Sequence, residues 1–448
     1  MPLVQSDKRE LPVVPRIILS FVILLMSPPV AGEGGASGGQ TEDPLARRGR
    51  PAESRLVLTR QVEHLDAPAR EPMIVEHPSG ALFVTGYRSG RPTLWKSLDR
   101  GAKWARVNVG SEARGAVGNS DVDLAVAKDG TLYFVTMGYN RRTSEGTSIA
   151  VGVSRDAGAK WSWNVVSKNR FDDRPWVEVA PDGTAHVIWN DGAGVNHIVS
   201  RDRGASWAKR PRVHNQGCSS HLALGPNGEV AVRITPSSAS GNKFDEGVDL
   251  IAVSTDGGHT WQKHPAPGRR EWDKDWEPSI VNPRLIPRWV EPLAWDARGH
   301  LFSLWTDPTG VFLARSADRG ETWTQWRIAQ TTDMAHFQYL IAGRGGELAA
   351  TWFTGSGETL QWHVARVNIG DRDTRPRVME ASPLRSDSWD PPDRPGDPPI
   401  RNTAGEYLGI TFLRDRGLAV VSPIQDPMTW RFGFSWWRFD VRSPRRQR

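Results

Sequence analysis

Short runs of alternating apolar and polar residues, each interrupted by a glycine-containing turn, recur along most of the chain. Two examples run from Leu124 to Val135 and from Val177 to Trp189. Alternation with a period of two around a glycine turn is typical of a β-hairpin with one buried face. The turn glycines of the successive units are Gly80, Gly130, Gly183, Gly228, Gly299, Gly346 and Gly417. The pattern predicts seven hairpin units, and segments with a helical period are scarce.

An eight-residue repeat, Ser-x-Asp-x-Gly-x-(Ser/Thr/Lys)-Trp, follows each of the first five hairpins. Its copies begin at Ser97, Ser154, Ser200, Ser254 and Ser316. They place aspartates at Asp99, Asp156, Asp202, Asp256 and Asp318. We expect each carboxylate to accept backbone N–H bonds across a tight turn whose glycine has a positive φ angle. The tryptophan gives each unit a large apolar face to bury against its neighbour. These residues are therefore predicted to be structural.

The spacing of the repeats predicts an all-β fold, a single β-propeller of four-stranded antiparallel blades. The distance from turn glycine to repeat aspartate is 19, 26, 19, 28 and 19 residues, a constant core with occasional loop insertions. The sixth unit keeps its strands without the repeat, and the seventh ends one strand short. The spare apolar strand from Leu56 to Val62 would complete the last blade and close the ring. Seven blades are predicted over residues 54–441, with six as the alternative if one weak unit is an insertion.

The first 53 residues have the composition of a targeting segment and a linker. The apolar run from Ile17 to Met26 is too short to span a bilayer, which requires about 20 residues. Three basic residues precede it, namely Lys8, Arg9 and Arg16. The pattern predicts a signal peptide over residues 1–32 and a flexible linker over residues 33–53. A secreted or periplasmic protein is expected, an uncleaved anchor being the alternative, and no later segment predicts a membrane span.

Charge and cysteine content exclude several classes of function. The formal net charge of +6 over 448 residues is small and is spread along the chain, apart from a basic tail over residues 442–448. Such a tail is more typical of a solvated end than of a nucleic-acid arm, so no nucleic-acid partner is expected. The single cysteine, Cys218, excludes a disulfide within the chain and any multi-cysteine metal site. We expect no metal and no cofactor.

Variable loops predict a binding site on the propeller face opposite the repeats. The longest of these connections runs from His264 to Glu291. It contains the candidate substrate-binding residues Trp272, Trp276, Arg284 and Arg288. Tryptophan beside arginine and carboxylates suits a sugar, whose C–H face stacks on a ring while its hydroxyls form hydrogen bonds. The alternative is that these tryptophans cap the hydrophobic end of a blade.

The five repeats resemble the Asp-box, or bacterial neuraminidase repeat, and the chain from Ser54 onward resembles the sialidase superfamily of propellers. That resemblance implies an exo-glycosidase for a sugar that carries a carboxylate. Three arginines would clamp the carboxylate, because a guanidinium group matches its two oxygens. A tyrosine activated by a glutamate would attack the anomeric carbon, and an aspartic acid would serve as acid and base.

The resemblance carries over to some positions of this chain. Arg70, in Ala69-Arg70-Glu71-Pro72, matches the first arginine, although Ala69 and Glu71 depart from the motif. Glu291 matches the glutamate and Tyr407 the tyrosine. Arg284 or Arg288 could replace the second arginine. The loop from Tyr87 to Thr93 holds no carboxylate for the acid/base role, and no arginine near His336 to Tyr339 supplies the third clamp position.

Two functional hypotheses follow. The first is a secreted sialidase-like propeller that binds a glycan or glycoconjugate on its loop-rich face and hydrolyses it as an exo-glycosidase. An unmatched carboxylate such as Asp121, Asp123 or Asp173 would then take the acid/base role. The second is a non-catalytic propeller scaffold for protein contacts at the cell envelope, which the missing acid favours. The sequence does not predict the substrate, the linkage or the oligomeric state.

Overall fold

Seven antiparallel sheets arranged as blades account for the described part of the chain. The computed structural model describes residues 54–88, 90–143, 145–235, 249–268, 291–307, 309–332, 335–354, 360–370, 375–386, 408–426, 428–429 and 431–443. Within these ranges the sheets form a seven-bladed β-propeller, which confirms the predicted fold class and the higher of the two blade counts. No helix among them is long and apolar enough to cross a membrane. The predicted signal peptide and linker lie outside the described residues.

The blades follow one another along the chain, each built from its inner strand outward. An N-terminal strand, β1 (Arg55–Leu65), precedes them. Blade one contains β2 (Ile74–Glu76), β3 (Leu82–Gly86), β4 (Thr93–Ser97) and β5 (Ala105–Arg106). Blade two contains β6 (Ser120–Val126), β7 (Leu132–Asn140), β8 (Glu145–Ser154) and β9 (Ser162–Ser167), after a short 3-10 helix at Glu112–Arg114. Blade three contains β10 (Asp173–Val179), β11 (Ala185–Asp191), β12 (Gly194–Ser200) and β13 (Ala208–Lys209).

The remaining blades repeat this order. Blade four contains β14 (Cys218–Leu224), β15 (Val230–Thr235), β16 (Leu250–Ser254) and β17 (Gln262–Pro265). Blade five contains β18 (Leu293–Trp295), β19 (Leu301–Asp307), β20 (Gly310–Ser316) and β21 (Thr324–Gln330). Blade six contains β22 (His336–Ala342), β23 (Glu347–Thr354), β24 (Leu360–Asn368) and β25 (Arg377–Glu380), and β26 (Leu384–Ser386) also pairs with β24. Blade seven contains β27 (Ile410–Phe412), β28 (Leu418–Gln425) and β29 (Phe432–Arg442).

The N-terminal strand closes the ring, as predicted. β1 pairs antiparallel with β29 from Arg55 opposite Arg442 to Leu65 opposite Gly433, and becomes the outer strand of blade seven. Pairing the first strand with the last closes the propeller, and the outer edge of β29 is thereby covered. The strand is longer than the apolar run from Leu56 to Val62, because backbone pairing continues past the apolar residues.

The five sequence repeats form the same turn between the third and fourth strands of blades one to five. In the first copy the Asp99 carboxylate accepts the backbone N–H of Lys103 at 2.8 Å, and the Ser97 hydroxyl accepts that of Gly101 at 2.8 Å. Gly101 has a φ angle of 83°. The serine hydroxyl also donates to the aspartate, at 2.7–2.9 Å in all five copies. The turn is thus held by local side-chain bonds to the backbone.

The repeat glycines, and the tryptophans of the first and third copies, pack against the preceding blade. The Trp104 ring lies 5.2 Å from the Phe434 ring and 6.4 Å from the Trp436 ring, both in blade seven. The Trp207 ring lies 6.2 Å from that of Tyr133 in blade two. These contacts lie in apolar layers between adjacent blades, and such layers hold the ring together.

Alanine variants of two glycines with similar positive φ angles distinguish the cost of backbone strain from the cost of a clash with the neighbouring blade. Gly183→Ala, at a φ angle of 90° with open space around its Cβ position, is expected to cost about 1–2 kcal/mol of unfolding free energy. Gly101→Ala is expected to cost a further ~1–3 kcal/mol, because its Cβ would lie 2.8 Å from the buried Trp436 ring. Chemical denaturation of both variants measures the difference. Equal losses would show that the turn and the neighbouring blade are not in close contact.

The inner strands of all seven blades surround a central channel of about 450 Å³. Each inner strand begins at the face that also carries the loops between second and third strands, here called the upper face. The repeat turns therefore lie on the opposite, lower face. Because the inner strands begin at the upper mouth of the channel, their first residues are placed together there.

Candidate functional site

A shared irregularity opens the inner strands of blades one, three and six at the upper mouth. In blade one the pairing of Arg70 with Tyr87 is followed by Glu71 at a φ angle of 46°. Arg174 in blade three and Phe337 in blade six have φ angles of 47° and 49°, within bulges of their strands. Such non-glycine conformations cost about 1–3 kcal/mol each and are concentrated at functional sites. A bulge also changes the direction of a side chain, here at the mouth of the channel.

The first group at the mouth is a hydrogen-bonded chain of three side chains in blade one. Arg70 Nε donates to the Tyr87 hydroxyl at 2.8 Å, and that hydroxyl donates to Glu71 Oε2 at 2.8 Å. The guanidinium group of Arg70 also lies 3.7 Å from Glu71 Oε1. The Glu71 side chain is 4% exposed and that of Arg70 is 17% exposed, so only the arginine reaches solvent to any extent. Burial, with the nearby Glu71 charge, raises the pKa of Tyr87 and keeps the phenol neutral.

Asp173 adds an acid that titrates at an unusual pH. Burial raises its pKa to about 6, the Arg174 charge and backbone N–H oppose the rise, and the charges of Asp121 and Glu71 add to it. The charges of Glu71 in blade one and Asp121 in blade two therefore act on the Asp173 carboxyl group of blade three. We call Arg70, Glu71, Tyr87, Asp121, Asp173 and Arg174 the rim cluster.

Arg174 is held on the side of the cluster that faces blade four. Its Nη1 donates to Cys218 Sγ at 3.3 Å, and Asn190 Nδ2 donates to the same sulfur at 2.8 Å. The Asn190 side-chain oxygen in turn accepts the backbone N–H of Ser219 at 2.7 Å. Cys218 is therefore a buried acceptor that helps to fix Arg174, and it lies at the start of β14.

Glu291 begins the approach to the inner strand of blade five and is 0% exposed. It forms an ion pair with Arg233, whose side chain is also 0% exposed. Arg233 donates to Asp249 at 2.7 Å and to the Ser303 hydroxyl at 3.2 Å. Glu291 and Arg233 thus form a buried ion pair that links blades four and five. The catalytic role implied by the resemblance stays a prediction.

Below the rim cluster, the channel wall carries a second set of titratable groups. The backbone N–H of Leu293 donates to His221 Nδ1 at 3.3 Å, so the ring proton is on Nε2 and is directed to the Tyr339 hydroxyl at 3.2 Å. Burial lowers the pKa of His221 to about 3, so the ring is neutral. Burial also raises the pKa of Asp123 to about 7 and that of Glu178 to about 8, the Asp123 charge adding to the latter.

Glu178 is expected to make the protein less stable in alkali. Its folded pKa is raised above the ordinary value of 4.5, so the proton favours the folded state, and stability falls as pH rises through about 8. Glu178→Gln should remove that loss and raise the unfolding free energy at pH 9 by ~1 kcal/mol or more. Asp202→Asn is the control of opposite sign, because the Ser206 hydroxyl lowers the pKa of Asp202 to about 2. Melting curves from pH 2 to 9 test both, because the contribution of Asp202 is lost only below about pH 4, and a Glu178→Gln variant as alkali-sensitive as the parent would contradict the prediction.

The other residues expected from the sequence divide into two groups. Tyr407, Arg284, Arg288, Trp272 and Trp276 lie outside the described residues, so their roles stay predictions. The repeat aspartates lie in turns on the lower face, away from the mouth.

Sequence reasoning left out Glu71, Tyr87 and Arg174, although a signal was present. Arg70-Glu71-Pro72 and Asp173-Arg174-Pro175 both place charged residues before a proline at a blade start. That pattern marks two blade starts at which the residue before the proline has a positive φ angle.

The rim cluster can supply a proton donor, a second carboxylate and guanidinium groups within one funnel mouth. An acid with a pKa near 6 beside carboxylates is the arrangement on which general acid catalysis depends. Among the described residues no group of three or more His, Cys, Asp or Glu side chains is arranged to hold a metal ion.

Comparison with known proteins gives similarity in structure alone. No family model matches the chain, and no curated protein matches it. The Hadza microbial sialidase Hz136 is similar at 15% identity and a TM-score of 0.43, over 63% of this chain and 62% of that chain. The NanB sialidase of Streptococcus pneumoniae (K499G mutant) is similar at 13% identity and a TM-score of 0.42, over 89% of this chain and 72% of that one.

A third structure is the GH93 α-L-arabinofuranosidase of Fusarium graminearum in complex with arabinobiose. It is similar at 13% identity and a TM-score of 0.45, over 85% of this chain and 97% of that chain. The chain thus spans less than two thirds of the Hadza enzyme and nearly all of the Fusarium enzyme. Sialidases and a GH93 enzyme are among the structures that this chain resembles in fold.

Proposed function

We propose that the upper mouth of the propeller binds the end of a glycan and hydrolyses its terminal glycosidic bond. The observation that carries the proposal is the rim cluster, in which Asp173, with a pKa of about 6, lies among the charges of Asp121, Glu71 and Arg174. One carboxyl group with a raised pKa, beside two further carboxyl groups at a funnel mouth, suits an acid-catalysed reaction. The resemblance of the repeats to those of sialidases supports the choice of a glycan as substrate.

In the proposed reaction each group has one role. Asp173 donates its proton to the glycosidic oxygen as the bond to the anomeric carbon breaks, and the bonding electrons leave with that oxygen. Asp121, the partly exposed neighbouring carboxylate, accepts a proton from the water that adds to the anomeric carbon. Arg70 binds the oxygens of the terminal sugar. Glu71 and Tyr87 are positioning residues, because they hold the Arg70 side chain by the hydrogen bonds described above.

The charge of the rim cluster bears on the choice of sugar. Its two guanidinium groups and three carboxyl groups give an acidic sugar no electrostatic advantage at the rim cluster itself. A sialidase specificity therefore requires the further cations Arg284 and Arg288, whose positions stay predictions. We include both acidic and neutral sugars in the proposed substrate class.

The experiment is a substrate panel with a direct measure of release. The protein is incubated with sialylated and neutral oligosaccharides, binding is measured by calorimetry, and released sugar is identified by chromatography. Release of one terminal sugar supports the proposal. Binding without release, or neither, would contradict it, and the latter result would favour the non-catalytic scaffold.

A further inference from the structure

A second cavity lies on the upper face between blades one and two. Its volume is about 520 Å³, within the range of about 300–1,000 Å³ typical of small-molecule sites. The loop between β3 and β4, the connection from β5 to β6, and the facing ends of β7 and β8 form its walls. The lining comprises Gly90–Pro92, Val109–Ala113, Ala116–Asn119, Gly138–Tyr139 and Thr147–Ser148. We call it the interblade cleft.

The interblade cleft adjoins the rim cluster through the chain itself. Tyr87 of the cluster precedes the cleft residue Gly90 by three positions, and Asp121 follows the cleft residue Asn119 by two. The cleft therefore lies on the side of the cluster formed by blades one and two. A glycan with its terminal sugar at the cluster could place its next residues in this cleft.

The walls of the cleft are fixed by hydrogen bonds between the two segments of blade two. Asn119 Nδ2 donates to the backbone oxygen of Tyr139 at 3.0 Å, and Asn119 Oδ1 accepts the backbone N–H of Tyr139 at 2.8 Å. Thr136 Oγ1 donates to the backbone oxygen of Val117 at 2.6 Å. These bonds set the position of the partly exposed Tyr139. A preformed cleft loses little conformational entropy when a ligand binds.

The lining indicates the class of ligand. It offers an aromatic ring at Tyr139 and hydroxyl groups at Ser111, Thr147 and Ser148. Its charged side chains are one arginine, Arg91, and one glutamate, Glu112, so the cleft favours neither sign of charge. A ring for stacking, several hydroxyl groups and no net charge match a neutral sugar.

We propose that the interblade cleft binds the neutral sugar residues on the leaving-group side of the glycan cleaved at the rim cluster. The inference rests on the proposed function for its orientation, since it assigns the terminal sugar to the cluster. It adds that affinity for the glycan comes in part from sugars that are not themselves attacked. The substrate is then an oligosaccharide or a glycoconjugate with at least one neutral sugar behind its terminal residue.

Two neighbouring exposed residues provide the variant and its control. Ala113→Trp adds a large side chain in the cleft without removing a packed one, whereas Arg114→Trp adds the same side chain at a residue outside the lining. Titration calorimetry with lactose, cellobiose and arabinobiose, on proteins that also carry Asp173→Asn to remove the proposed acid, measures binding without hydrolysis. We expect at least one disaccharide to bind, Ala113→Trp to weaken it about tenfold or more, and Arg114→Trp to leave it within about twofold.

Steady-state kinetics then test the orientation. For one terminal sugar, Ala113→Trp should raise the KM of the oligosaccharide about tenfold and leave that of a small aryl glycoside unchanged. Failure of all three disaccharides to bind, equal effects of the two tryptophan variants, or equal effects on the two substrates would overturn the inference. If disaccharides bind as expected and no glycan is hydrolysed, the proposed function fails while the cleft remains a sugar site.

Discussion

Replacement of Asp173 by asparagine is expected to lower the rate of glycan hydrolysis by about 10²–10⁴-fold. Asparagine has nearly the shape of aspartic acid and cannot donate the proton that the leaving oxygen requires. The loss should be much smaller for an aryl glycoside whose leaving group is a weak base, because such a group departs without a proton. Rates for an oligosaccharide and an aryl glycoside of the same sugar, measured side by side, test this reason directly.

The pH profile gives a second measure of the same group. Because Asp173 must be protonated, kcat/KM of the parent should fall as pH rises through about 6, and the Asp173→Asn variant should lack that limb. The raised folded pKa also means that stability is lost as pH rises through this range. Asp173→Asn should therefore raise the unfolding free energy at pH 8 by ~1–3 kcal/mol. Lower activity with higher stability distinguishes an active-site acid from a structural one.

The adjacent Asp172 is the matched control. Burial raises its pKa to about 6 as well, but its carboxylate accepts hydrogen bonds from the Ser167 hydroxyl at 2.8 Å and the Asn169 backbone at 2.9 Å. Asp172→Asn removes a neighbouring acid of similar pKa that makes local structural bonds, and it should leave both the rate and the alkaline limb of the profile in place. An Asp173→Asn variant that keeps more than about a tenth of the parent rate, or keeps the limb, would refute the assignment.

The ring could be predicted from the sequence because its determinants are local. The bonds of each repeat turn join residues at most four apart, such as Asp99 and Lys103, and the eight-residue pattern shows all of them. The closing strand could be predicted because the apolar segment of β1 precedes the first blade without belonging to it, and the last blade lacks a fourth strand. Only the length of β1 and the extra strand β26 were not anticipated, since backbone pairing there does not depend on an apolar pattern.

The rim cluster could not be predicted in the same way. Neighbouring residues of a regular strand face opposite ways, so Arg70 and Glu71 would not be expected to share a partner. The positive φ angle of Glu71 breaks that alternation, and both side chains contact the Tyr87 hydroxyl. Asp173 joins them from about 100 positions further along the chain, which only the closure of the ring determines. The local sequence contains a proline at a blade start, but it does not predict the positive φ angle of the residue before it.

Glu291, which forms a buried ion pair with Arg233, has either a structural or a catalytic role, and mutations can distinguish the two. Glu291→Ala is expected to lower the unfolding free energy by about 3–5 kcal/mol, because it removes one partner of a fully buried guanidinium group. Burial already lowers the pKa of Arg233, so its charge depends on the acids that remain. Asp249, whose side chain is 10% exposed, is the one acid left among the described contacts of Arg233. Denaturation at constant pH measures the loss.

A double replacement distinguishes a structural pair from a catalytic glutamate. Glu291→Leu combined with Arg233→Met removes both charges of this pair and leaves the Asp249 carboxylate without Arg233, so it should recover part of the stability that Glu291→Ala loses, since apolar pairs often replace buried ion pairs at little cost. If the pair is structural, hydrolysis by the double variant should recover together with its folded fraction. A Glu291→Ala variant as stable as the parent but inactive would instead establish the glutamate as catalytic, the role that the resemblance to sialidases implies. A double variant that recovers its stability but not its activity would also establish Glu291 as catalytic, because the missing carboxylate would then be required for the reaction itself.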